Sequence, residues 1–189
     1  MATVGIVGLG LLGGAVASRL RAGGHDVVGY DIAADKVTAL VALGGRAAPS
    51  AQAVAESAAA VCVVLPSLTS VEDVVLGPRG LAASGAAGAT IIQMSTISPA
   101  LTERLAREVT AKGLAFLDCP ISGTSAMVER GEGIVFVGGD PSVSGAGARC
   151  WRPSCRVPSS SAAPARRWSS SSWPISWSRS TARRPPRPS

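Results

Sequence analysis

The sequence predicts an α/β protein, a mostly parallel sheet wound with helices on both faces, on three observations. Short apolar runs recur along residues 1–143. Stretches of about a dozen residues with helical composition separate them. Glycine or proline marks nearly every junction. Strands joined by helices of that length imply right-handed βαβ crossovers. A sheet covered on both faces is built from strands that read as continuous apolar runs, which is the pattern here.

Thr3-Val4-Gly5-Ile6-Val7-Gly8 is the first such run and ends in glycine. A helix is predicted over Leu11–Ala22 and is stopped by Gly23-Gly24. His25 to Asp31 reads as the second strand, and Ala33 to Leu43 as a helix closed by Gly44-Gly45. Ser50 can cap a short helix through Ala58. Ala60 to Leu65 is a strand ended by Pro66, and Thr69 or Ser70 can cap a helix to Leu76, ended by Gly77-Pro78. Ala89 to Met94 is the next strand. Ser98-Pro99 opens a helix to Lys112, with the proline in the first turn, where its missing N–H costs nothing. Glu103 and Arg107 are spaced for an i, i+4 pair on its surface. Leu114 to Asp118 is a strand, Ser125 to Arg130 a helix, and Ile134 to Gly138 a last strand.

The chain has 189 residues, of which 47% are hydrophobic, enough for one domain with a real core but tight for two. Charge is uneven. Residues 1–148 hold nine Lys/Arg and all twelve Asp/Glu, while residues 149–189 hold nine Arg and no acid. The formal +6 therefore belongs to the tail and is not a nucleic-acid signal for the whole protein. All four Trp lie in that tail, and residues 151–189 contain twelve Ser, eight Arg and seven Pro. No helical or strand period survives there, so composition predicts a domain over residues 1–143 and a disordered tail over 144–189.

The four cysteines form no CxxC pair and His25 is the sole histidine, so no zinc site is expected. Cys62 sits in an apolar run and reads as a buried small hydrophobe. The uncharged N-terminus lacks the basic flank of a signal peptide, and glycines interrupt it. No run of ~18 apolar residues exists to span a bilayer. The expectation is a cytoplasmic protein with no membrane partner.

Gly8-Leu9-Gly10-Leu11-Leu12-Gly13 is GxGxxG, set between a strand and a helix. Gly8 permits the tight turn, Gly10 lets the backbone approach a pyrophosphate, and Gly13 lets helix and strand pack closely. The helix N-terminus offers N–H groups and partial positive charge to the phosphates. Asp31 follows about 20 residues on, at the end of the second strand, where a carboxylate can accept both adenosine ribose hydroxyls. It also repels a 2′-phosphate, and Ile32 and Ala33 follow it rather than an arginine, so NAD is expected over NADP. A Rossmann-type dinucleotide site follows; the alternative is a glycine-rich turn in a fold that binds no nucleotide.

The opening Val4–Gly13 segment, with Gly24-His25-Asp26-Val27 after it, resembles the start of the β-hydroxyacid dehydrogenases, which include 3-hydroxyisobutyrate dehydrogenase, tartronate semialdehyde reductase and, more distantly, 6-phosphogluconate dehydrogenase. Leu65-Pro66-Ser67, Met94 to Ser98, Asp118 to Thr124 and Val137 to Asp140 extend the resemblance over residues 2–143. It implies that Leu65, Pro66 and Thr96 line the nicotinamide half of the cofactor site. It implies also that Ser122, Gly123 and Thr124 hold the carboxylate of a small β-hydroxyacid through hydroxyl and backbone N–H groups. Thr124 stands where the family usually has glycine. Read without the resemblance, Ser122-Gly123 is an ordinary polar turn and Thr96 a helix-proximal cap.

The family's proton transfer uses a lysine on a long helix after the Rossmann domain, in a helical domain that closes the cleft, and family members are usually homo-oligomers. The chain has no lysine after Lys112; Lys36 and Lys112 fall on surface helices. A reading frame shifted to the third codon position lets Ser169 to Ser180 encode the lysine segment, its lysine codon straddling Ser170 and Ser171. The expectation is a frameshift near residues 142–147, apolar surface left exposed near Ile121, Val135 and Val137, and no intact catalytic residue in this chain. Three functions follow for test: a hydroxyacid oxidoreductase impaired in this chain, a non-catalytic NAD-binding module, and a nucleic-acid- or membrane-binding Arg/Trp arm, the least economical.

Overall fold

A computed structural model describes residues 2–83, 88–140 and 142–143. The predicted tail, and the frameshift region beyond residue 143, lie outside the described residues.

In chain order the elements are β1 (Thr3–Val7), α1 (Leu11–Ala22), β2 (Asp26–Tyr30), α2 (Ala34–Ala42) and β3 (Arg46–Ala47). Next come α3 (Ala51–Ser57), β4 (Ala60–Val63), α4 (Leu68–Leu76), β5 (Thr90–Gln93) and α5 (Pro99–Ala111). The described part ends with β6 (Ala115–Asp118), β7 (Ile121–Ser122), α6 (Ser125–Glu129), β8 (Ile134–Val135) and β9 (Gly138–Gly139). The main sheet runs β3-β2-β1-β4-β5-β6-β9. Its first six strands are parallel and β9 is antiparallel to β6. This is the predicted doubly wound, Rossmann-type order, and the strand order reverses between β1 and β4, the place where such sheets bind ligands.

Alternation along the strands feeds two cores. Val4 and Ile6 of β1, Cys62 of β4, Ile92 of β5 and Leu117 of β6 face α1 and α6, where Val16, Leu20 and Val128 meet them. Val7, Val61, Val63, Ile91 and Phe116 face the other way, onto Val54 of α3, Val71 and Val75 of α4, and Leu105 and Val109 of α5. A run such as Ala60-Val61-Cys62-Val63 is thus apolar throughout because both of its faces are covered. Cys62 is buried as expected.

Several local expectations need correction. The helix α4 is capped by Ser67, whose Oγ accepts from Ser70 N–H at 3.1 Å, not by Thr69 or Ser70. The surface ion pairs of α5 use Arg104, 2.9 Å from both Glu108 and Glu72, rather than Glu103 with Arg107. The single strand expected over Ile134–Gly138 is two. Ile134 and Val135 form a hairpin ladder with β7, Phe136 N–H turns onto the Pro120 carbonyl at 3.1 Å, and Gly138-Gly139 then join β6. Val135 is fully buried; the exposed apolar groups nearby are Phe136 (56%) and Ile134 (38%). No helix among the described residues is long and apolar enough to cross a membrane.

Candidate functional site

The β1–α1 turn is shaped by its glycines in two distinct ways. Gly8 has φ +92°, and a Cβ on it would run into the Val64 carbonyl oxygen. A Cβ on Gly13 would run into the Gly8 carbonyl oxygen. The fold itself therefore requires these two. A Cβ on Gly10 would meet nothing within 4 Å. The protein leaves that space empty, which is the cradle a pyrophosphate needs. Gly10 also begins α1 with no side-chain cap, so the first-turn N–H groups, including those of Leu11 and Leu12, have no intrahelical partner.

The second strand delivers Asp31 to the same turn. Its Oδ2 accepts from Leu9 N–H at 2.6 Å and its Oδ1 from Ala33 N–H at 2.9 Å. Leu9 itself is buried in the core, so its contribution to the site is this N–H and not its side chain. Each carboxylate oxygen keeps acceptor capacity for a ribose hydroxyl.

A cleft of about 720 Å³ runs over the switch point. Gly8, Gly10, Leu11, Leu12 and Gly13 form its middle, and Tyr30, Asp31, Ile32 and Ala33 one end. Leu65 and Pro66 of the loop after β4, Ser95 and Thr96 of the loop after β5, and Ile121 at the start of β7 also line it. Of the residues singled out in the sequence, Leu9 and the Ser122–Thr124 segment do not line the cleft. Ser122 lies in β7, Gly123 has φ +136°, and the Thr124 hydroxyl accepts from Met127 N–H at 3.3 Å to cap α6. The sequence assigns no site role to two further residues at the cleft, placing Lys36 on a surface helix and Ser95 only within the Met94–Ser98 stretch. Lys36 reaches its rim, paired with Asp35 at 2.9 Å, and Ser95 links the loops after β4 and β5. Proximity of Lys36, in the first turn of α2, to Asp31 just before that helix is local in sequence and was open to inference; the Ser95 contact spans 30 residues and was not.

A second, larger cleft of about 880 Å³ lies between α5 and the β6–β9 edge. It lies away from the GxGxxG turn and contains Asp118, whose half-buried carboxyl is pushed up to about 6 by loss of solvent. A carboxyl raised above its unfolded value favours the fold at pH below that unfolded value, and this advantage is lost as pH rises through about 6. Asp118→Asn should therefore stabilise the protein above about pH 7, and the gain should shrink as the pH is lowered toward about 5. Thermal melts of both proteins across that range check it; a pH-independent difference would refute it. Beside it, burial first and the Asp118 charge second push the Cys119 thiol up to about 12, leaving it inert. Among the described residues no group of three metal-ligating side chains occurs.

Residues 3–149 match the NAD binding domain of 6-phosphogluconate dehydrogenase. The 3-hydroxyisobutyrate dehydrogenase of Pseudomonas aeruginosa is 36% identical over 149 residues, 79% of this chain and 50% of that protein. The structure of Mycobacterium tuberculosis 3-hydroxyisobutyrate dehydrogenase with L-serine superposes with a TM-score of 0.78 at 25% identity, over 83% of this chain and 53% of that one. That of Psf3 in complex with NADP+ and 2-OPP gives 0.78 at 28% identity, over 82% and 55%. The chain spans about half the length of the curated relatives it matches. With the glycine turn, the acidic strand end and the switch-point cleft all in place, the chain belongs to the family of the 6-phosphogluconate dehydrogenase NAD-binding domain.

Proposed function

We propose that this chain binds NAD along the switch-point cleft, in the manner of an oxidoreductase domain that transfers hydride between nicotinamide and a small β-hydroxyacid of the 3-hydroxyisobutyrate kind. The observation that carries the reading is the empty space over Gly10, framed by uncapped helix N–H groups and by the Asp31 carboxylate. The adenosine ribose sits at Asp31, the pyrophosphate over Gly10 to Leu12, and the nicotinamide toward Leu65, Pro66 and Thr96. When bound, the cofactor supplies the hydride chemistry. Asp31 favours the free 2′-hydroxyl of NAD over the 2′-phosphate of NADP. Ser122, Gly123 and Thr124 are assigned to the substrate carboxylate on the family resemblance, beyond Ile121 at the cleft wall.

A second reading, a cofactor-binding module without turnover, is favoured by one observation. The sequence has two lysines, Lys36 and Lys112. Lys36 pairs with Asp35 beside the Asp31 end of the cleft, and Lys112 caps the far end of α5, outside that cleft. Neither is placed to exchange a proton with a substrate oxygen near Thr96. Calorimetric titration of the purified chain with NADH and NADPH should show binding, tighter for NADH. Turnover of 3-hydroxyisobutyrate, glycerate or threonate should be near zero. Absence of NADH binding would sink both readings, whereas turnover at ordinary enzyme rates, about 10 per second, would sink the second.

A further inference from the structure

The loop after β4 carries the Leu65–Pro66 turn to the cleft, and its backbone is held unusually well for a connection. Ladder bonds continue past the strand ends as far as Val64, whose N–H reaches the Val7 carbonyl at 2.9 Å, and Met94, whose N–H reaches the Val63 carbonyl at 3.0 Å. Pro66 has no N–H to give. Between them, the N–H of Leu65 donates to Ser95 Oγ at 2.8 Å. Ser95 is fixed in turn from below, where the fully buried Gln93 donates its Nε2 hydrogen to the Ser95 carbonyl at 3.1 Å. The Ser95 hydroxyl thus replaces the next rung of the sheet at the point where the sheet ends.

We propose that Ser95, anchored by Gln93, is a positioning residue that sets the Leu65–Pro66 turn for the nicotinamide half of the cofactor. The assignment rests on the reading that NAD lies along this cleft with its adenosine at Asp31. A hydroxyl has two lone pairs and one proton, so accepting from Leu65 leaves it able to serve a ligand as well. Loss of the hydroxyl orphans a partly buried N–H and frees the turn. The hydrogen bonds that hold the glycine turn and Asp31 do not involve the Ser95 hydroxyl.

The test is calorimetric titration of the full chain with NADH and with ADP-ribose, which lacks the nicotinamide. Ser95→Ala should weaken NADH about tenfold while ADP-ribose stays within about twofold, and Ser95→Thr, which keeps the hydroxyl, should restore NADH. Equal weakening of both ligands in Ser95→Ala, or unchanged NADH binding, overturns the assignment alone. Wild-type protein that binds neither ligand overturns the cofactor reading and this assignment with it. Should Ser95→Ala fail to fold, Ser95→Cys, nearly isosteric but a weak acceptor, carries the same comparison.

Discussion

Alanine at Gly10 is expected to leave the fold as stable as before while weakening NADH about ten- to a hundredfold, whereas alanine three residues later should destabilise the fold. Gly10 has φ −59°, a value alanine adopts freely, and a Cβ there touches nothing. Alanine is a slightly poorer helix cap but has less unfolded-state entropy to lose, so the two effects on stability nearly cancel. On the proposed placement of the cofactor, the added methyl instead stands where the pyrophosphate approaches the helix N-terminus, and losing charge-assisted hydrogen bonds worth about 1.5–3 kcal/mol gives the predicted range. At Gly13 the Cβ meets the Gly8 carbonyl, which is backbone and cannot move aside. Pushing α1 off β1 should cost about 1–3 kcal/mol or more. Gly14 supplies the internal control. Its Cβ would lie 3.6 Å from the Leu9 carbonyl, ordinary contact, so Gly14→Ala should stabilise α1 by roughly 0.5–1 kcal/mol through helix propensity. Thermal melts and NADH titrations of the three variants check the set. A Gly10→Ala protein that binds NADH normally would show that no phosphate sits there.

The same turn shows why some of this protein is legible in its sequence and some is not. Local chemistry reads well. The limits of α1 follow from the glycines on either side of Leu11–Ala22, and the Ser50 and Ser98 caps sit where a hydroxyl can reach an N–H three residues on. Weak local signals fail. The edge strand β3 is two exposed residues, Arg46 and Ala47, with no apolar run to announce it. Ile134 to Gly138 has the composition of one strand but is divided between two partners, because β7 claims its first half and β6 its end. At the site, GxGxxG and Asp31 are visible as a spacing. The division of labour among the glycines is not, since it depends on how closely Val64 approaches Gly8. The Ser95 contact is invisible for the same reason: its partner is 30 residues away and is a backbone N–H, which has no residue type to recognise. Ser122 to Thr124, chosen by resemblance, carries contacts that geometry alone explains, the Ser122 pairing with Ile134 and the Thr124 helix cap.

Replacing Asp31 by serine should cut NADH affinity by about ten- to a hundredfold and largely erase the preference over NADPH. On the proposed reading the carboxylate has two tasks. It offers acceptors to the ribose hydroxyls, and it ties the glycine turn to the β2 end through Leu9 N–H at 2.6 Å and Ala33 N–H at 2.9 Å. Serine keeps one oxygen but is too short to span both N–H groups, so the partly buried Leu9 donor is left unmet at a cost of about 1–3 kcal/mol to the fold. NADPH binding should respond differently. The negative charge that repels a 2′-phosphate is gone, and Lys36 remains at the cleft rim, where its ammonium is held by Asp35. Weaker turn geometry and weaker repulsion then oppose one another, so NADPH affinity should hold or rise while NADH falls. Raising the salt concentration should narrow the wild-type preference as well, because the repulsion is partly screened at the half-buried Asp31. Parallel titrations with both cofactors at low and high salt decide it. Equal loss of the two in Asp31→Ser would mean that the carboxylate only braces the turn and does not read the ribose.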